Sequence, residues 1–147
     1  MAATITSVNL SAKKTVRKTP GQTGTLVTGS GFAGDAHAGD WHRQVSLLAE
    51  ESIAKMQAKG LDVTAGDFAE NITTSGIDLV ALPVGTRVRV GSTLLEVSQI
   101  GKECHTKCAI YYQAGDCIMP KEGIFAVVLE GGDVSVGDEI AVLGEGV

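Results

Sequence analysis

The chain has 147 residues, 44% of them hydrophobic and 20% charged, a globular composition of the size of one ordinary domain that can bury a core without disulfides or metals. A formal net charge of −5 excludes the broad basic surface of a nucleic-acid-binding protein, and no apolar run of about 18 residues is present to span a membrane. There is no basic start with a long apolar run to mark a secretory signal, and three clustered cysteines are not a secreted disulfide framework, so a cytoplasmic setting with reduced thiols is expected.

Aromatic residues make up only 4%, which predicts a core of Val, Ile, Leu and Ala; 19 glycines against three prolines predict tight turns between short strands. In chain order, residues 4–10 (TITSVNL) read as an opening strand. Lys13, Lys14, Arg17 and Lys18 form a local basic segment, read as a solvated edge that discourages aggregation. Residues 24–27 read as a second strand, followed by a loop from Gly29 to Gly39 punctuated by four glycines.

A helix is predicted near residues 47–59. Ser46 would cap it, Glu50 and Glu51 would lie in its first turns, and Leu48, Ala49, Ser52, Ile53 and Met56 would form its inner face. Gly60 would end it in the left-handed conformation. Residues 87–90 and 93–99 alternate as two strands around Gly91-Ser92, with Leu95 and Val97 on one face. The apolar run 124–129 reads as a strand buried on both faces, and a last strand spans 139–143. Short strands with glycine turns and one helix predict a mixed α/β, barrel-rich fold, with residues 1–147 forming one domain.

Three constellations could carry chemistry. The first packs Asp35, His37, His42, Arg43 and Gln44 onto the end of the glycine loop, where Arg43 and backbone amides could hold an anionic group. The plainer reading is a hydrogen-bonded loop. The second is Cys104-His105-Thr106-Lys107-Cys108, with Cys117 beyond. Lys107 or His105 beside a thiol would stabilise the thiolate, the form that attacks, carries a persulfide or ligates a soft metal. A structural zinc on Cys104, Cys108, Cys117 and His105 is an alternative, although this spacing differs from the usual zinc ribbons and knuckles. A Cys104–Cys108 redox pair and inert core thiols are others; the polar surroundings favour function for Cys104 and Cys108, and Cys117 reads as core. The third is Glu70-Asn71-Ile72 after Gly66-Asp67-Phe68, which could orient a ligand or simply hydrogen-bond a strand edge.

These motifs occur in an order that resembles the MOSC family, named for the C-terminal domain of molybdenum-cofactor sulfurases. The resemblance rests on the loop Gly34-Asp35-Ala36-His37-Ala38-Gly39, the run from Arg43 to Leu48, and the run from Gly66 to Ile72. It continues through Leu82-Pro83-Val84-Gly85-Thr86, the cysteine stretch and Gly137-Asp138-Glu139-Ile140. It covers nearly the whole chain and implies a stand-alone domain of barrel-rich fold whose pocket holds one functional cysteine. Cys108 is the best positional match, in Lys107-Cys108-Ala109-Ile110, with Cys104 as rival or resolving thiol.

The resemblance also implies that Cys108 carries sulfur or ligates molybdenum of the pterin cofactor. Asp35, His37, Arg43, Gln44, Asn71, Lys102, His105 and Lys107 would surround that cofactor. Expected partners are molybdopterin-processing enzymes, or a cysteine desulfurase as sulfur donor, because no pyridoxal-phosphate lysine motif is visible in the chain. A molybdenum-dependent reductase of N-hydroxylated compounds is the alternative within the family, although such reductases carry a different segment around their cysteine. A non-catalytic binding protein with a structural zinc is the alternative outside it. The oligomeric state stays open.

Overall fold

The computed structural model describes residues 3–11, 19–35, 38–41, 43–60, 63–66, 70–100 and 123–145. In chain order the elements are β1 (Ala3–Leu10), β2 (Thr19–Gly21), β3 (Thr23–Val27), β4 (Gly31–Phe32), β5 (Val45–Ala49) and α1 (Glu50–Ala58). They continue with β6 (Ile72–Ser75), a 3₁₀ turn (Leu79–Ala81), β7 (Thr86–Val90), β8 (Thr93–Ile100), β9 (Ile124–Glu130), β10 (Gly132–Ser135) and β11 (Glu139–Glu145).

Seven strands close into a barrel in the order β11-β7-β8-β9-β5-β6-β1, because β1 pairs with β11 as well as with β6; β2 adds to β1 outside the ring. All pairings in the ring are antiparallel except β5–β6, which α1 joins as a crossover. A second sheet, β10-β3-β4, packs beside the barrel. The fold is therefore the mixed, barrel-rich α/β class that the strand spacing predicts. Among the described residues, no helix is long and apolar enough to cross a membrane.

Alternation decides which residues fill the barrel. Val88 and Val90 on β7, Leu95 and Val97 on β8, Ile124, Ala126 and Val128 on β9, Val45 and Leu47 on β5, and Ile5 and Val8 on β1 join one buried cluster. Leu26, Phe32 and Val134 bring the second sheet into the same cluster. The cluster is built from aliphatics, in keeping with the low aromatic content, and among the described residues Phe32, fully buried, is its one aromatic ring. In β9 only Ile124, Phe125 and Ala126 are buried in succession; Val127 and Leu129 are half-buried, so the strand is covered on both faces only where it begins.

A second expectation is corrected. The helix starts at Glu50, not at residue 47, and Ser46 does not cap it. Val45–Ala49 is a strand buried at every position, between β6 and β9. A short run covered on both faces carries no period of its own, so Leu48 and Ala49 fit the spacing of the helix that follows and extend it on paper. Two neighbouring strands decide the matter, and the Ser46 hydroxyl binds Asn71 instead. From Glu50 onward the reading holds: Ser52, Ile53 and Met56 are the buried side chains of α1, and Gly60 follows its end at φ +90°.

Candidate functional site

The registers place an unbroken row across the outer face of the barrel. Gln99 on β8 pairs with Phe125 on β9, and Phe125 pairs with Ser46 on β5. Ser46 faces Asn71, just ahead of β6, and the Asn71 carbonyl accepts from the N–H of Asn9 on β1 at 2.7 Å. Phe125, Ser46, Asn71 and Asn9 each alternate with an interior residue (Ile124, Val45, Leu47, Ile72 and Val8 among them), so they point away from the barrel interior, and Gln99 joins them through its pairing with Phe125. Ser46, Asn71, Asn9 and Phe125 are nevertheless at most 2% exposed. An outer barrel face this dry is covered by chain, and polar groups there have to be satisfied within the protein.

They are. The Asn71 Oδ1 accepts from the Ser46 N–H at 3.0 Å and from the Ser46 hydroxyl at 3.2 Å, while its Nδ2 donates to the Asn9 carbonyl at 3.3 Å. Its own N–H donates to the Ser46 carbonyl at 2.9 Å and to Ser46 Oγ at 3.0 Å. A second chain of bonds runs beside it: Ser7 Oγ donates to Asn9 Oδ1, Asn9 Nδ2 to Thr73 Oγ1, and Thr73 Oγ1 to Glu70 Oε2. Glu70, fully buried, also accepts from the Gly66 N–H through Oε1 at 3.0 Å. The Glu70-Asn71 run thus locks β1, β5 and β6 together.

The glycine loop meets this row at Arg43. Its Nε donates to Gln99 Oε1 at 3.1 Å, and its guanidinium carbon lies 5.3 Å from the centroid of the Phe125 ring. Among the described residues none pairs with the two terminal nitrogens of Arg43, so a planar cation is held at Nε and on one face. Gln44 turns the other way: its Oε1 accepts from the Val128 N–H at 2.9 Å and ties the loop to β9. Asp35 accepts from the Ser11 N–H at 3.0 Å, fastening the earlier part of the loop just beyond the end of β1.

The structure therefore brings Arg43 and Asn71 onto one row, with Gln44 and Asp35 anchoring the loop that delivers Arg43. His37, Lys102, Cys104, His105, Lys107 and Cys108 lie outside the described residues, as do His42 and Cys117, and with them the zinc alternative. The described strands on either side are placed: Ile100 and Ile124 pair one step beyond Gln99 and Phe125. The end of β8 and the start of β9, which flank the cysteine-bearing residues in sequence, thus lie beside Arg43.

Sequence reasoning misses Gln99 and Phe125. Their link to Arg43 depends on a register irregularity in β8, between Val97 and Gln99, that no local motif announces. Asn9 and Thr73 are missed because isolated polar residues in strands carry no local motif, and Ser46 because it reads as a helix cap.

A closed mixed barrel carrying a buried polar row, met at one end by Arg43, defines the class of this domain. The MOSC domain model matches residues 34–141, and the chain belongs to the MOSC family. YuaD from Bacillus subtilis superposes at a TM-score of 0.80 with 20% identity, over 100% of this chain and 98% of that one. YiiM from Geobacillus stearothermophilus gives a TM-score of 0.72 with 21% identity, over 96% and 75% of the two chains. For YiiM from Escherichia coli the values are 0.70 and 20%, over 97% and 70%. At these identities the likeness concerns the fold. No curated protein matches the chain significantly in sequence.

Proposed function

We propose that this protein acts in molybdenum-cofactor maturation or sulfur transfer, with Cys108 as the residue that presents sulfur or meets the metal. The observation that supports this best is that Arg43 at the end of the glycine loop, the Glu70-Asn71 run and the ends of β8 and β9 that flank the cysteine-bearing residues in sequence meet along one row, and all of these lie within the residues that the family model matches.

As a carrier, the Cys108 thiolate attacks the outer sulfur of a donor persulfide, such as that of a cysteine desulfurase. The donor's S–S bond breaks, a new S–S bond forms on Cys108, and the donor cysteine leaves as thiolate. No external oxidant or reductant is needed. Lys107 and His105 would favour the ionised thiol. The described residues fit the anionic end of a pterin cofactor at Arg43, whose two terminal nitrogens have the spacing of phosphate oxygens. His37 and Lys102 would add charge there. The cofactor, when bound, supplies the metal and its redox chemistry.

Intact-mass spectrometry with elemental analysis on anaerobically purified protein tests this reading. The expected result is a mass increase of one sulfur atom, removed by reductant and missing in Cys108→Ser, or stoichiometric molybdenum lost in the same variant. A Cys108→Ser protein that keeps its sulfur or molybdenum and fully supports molybdoenzyme activity in a deletion strain would sink it. Stoichiometric zinc without sulfur would replace it with the structural-metal reading.

A further inference from the structure

We propose that Gln99 is a positioning residue that aims the Arg43 guanidinium, with Phe125 as its platform, so that the two terminal nitrogens of Arg43 meet an oxyanion. This rests on the reading of Arg43 as the anion-holding group of the site.

The argument begins in β8. Strict alternation from the inward Val97 would send Ser98 outward and Gln99 inward. The ladder shifts instead: Val97 pairs with Ala126, whereas Gln99, two residues on, pairs with Phe125, only one residue away on β9. One extra residue in β8 re-aims Gln99 to the outer face beside Phe125, the kind of reorientation a β-bulge produces near functional sites. With Ser98 kept in regular, unbulged alternation, the Gln99 amide would point into the barrel, among Val97, Ile124 and Ala126. With it, Gln99 Oε1 takes the Nε–H of Arg43 at 3.1 Å while the ring of Phe125 lies 5.3 Å from the guanidinium carbon.

An arginine side chain on a loop end otherwise samples many rotamers. Fixing Nε and one face leaves the opposite edge, with its parallel N–H bonds, as the only part able to engage a ligand. A neutral amide suits this role. It accepts from Nε without cancelling the charge that an oxyanion requires, as a carboxylate would.

Titration of the full-length protein with inorganic phosphate, followed by calorimetry and by the NMR signal of the Arg43 Nε–H, tests the clamp. Gln99→Met, of similar shape but without the acceptor, is expected to weaken phosphate binding about tenfold, the value of an oriented charged hydrogen bond. Gln99→Glu keeps the acceptor and the packing but is expected to weaken binding at least as much, through charge cancellation; a merely structural role would leave it unchanged. In an Arg43→Met background, Gln99→Met should have no further effect. The inference is overturned if wild-type protein binds no phosphate through Arg43, if both Gln99 variants bind like wild type, or if Gln99→Met weakens binding equally without Arg43. Intact mass on the same samples separates this from the sulfur reading. Gln99-dependent phosphate binding with no sulfur on Cys108 leaves the clamp standing and removes the carrier role. Normal sulfur loading with phosphate binding indifferent to Gln99 does the reverse.

Discussion

Asn71→Ala is expected to destabilise the protein by about 3–5 kcal/mol, a large part of the ~5–15 kcal/mol that holds a domain of this size. The side chain serves three groups on two other strands: the Ser46 N–H, the Ser46 hydroxyl and the Asn9 carbonyl. Ser46, Asn71 and Asn9 are all at most 1% exposed, so water cannot replace the missing amide. The cost is therefore that of stranded buried groups, about 1–3 kcal/mol each, rather than of bonds exchanged for solvent. Asn71→Asp is a sharper probe. It keeps an acceptor for Ser46 but sets a second oxygen against the Asn9 carbonyl, and it buries a charge. Glu96→Ala is the contrast, because the Arg87–Glu96 pair is 3.6 Å apart with side chains 40% and 32% exposed. Its loss should stay within about 0.5 kcal/mol. Urea unfolding at neutral pH, by fluorescence and circular dichroism, reads all three; an Asn71→Ala midpoint equal to that of Glu96→Ala would refute the locking role.

The contrast also shows what sequence can and cannot disclose. β7, with its clean alternation, and the turn at Gly91-Ser92 after it are legible because each carries a local signal of its own. Val45–Ala49 is not, since a strand covered on both faces has none, and it merges with the helix after it. Glu70 and Asn71 are visible as a chemically unusual pair, but whether they hold a ligand or a barrel depends on Ser46 and Asn9, which lie 25 and 62 residues away in the chain. Arg43 is legible as a cation beside a glycine loop. That its fork is presented by Gln99 follows from one extra residue in β8, a fact of register and not of composition. The sequence thus reports which chemistry is present, while pairing between distant strands decides which of those groups work on the fold and which face outward.

Gly31→Ala should cost ~3 kcal/mol or more and, in any protein that still folds, should loosen the Arg43 clamp. Gly31 adopts φ +129°, a backbone conformation that side chains rarely tolerate, and a Cβ there would lie 2.4 Å from the Gln44 carbonyl oxygen and 3.3 Å from Ala38 Cα. Neither neighbour can yield cheaply. Gln44 is fixed through its side chain to the Val128 N–H, and Val45, the next residue, already pairs with Ala126. Any relief must therefore shift residues 43–44, the pair that delivers the guanidinium to Gln99 and Phe125. Gly34→Ala separates strain from contact, since Gly34 has φ +80° but nothing within 4 Å of the added carbon. It should cost only about 1–2 kcal/mol, the penalty of a left-handed residue, and leave the Arg43 Nε–H signal in place. Equal losses in the two variants would mean that backbone strain alone accounts for Gly31. A larger loss at Gly31, with the Arg43 signal broadened or displaced, would show that the close passage of β4 under Gln44 sets the position of the arginine.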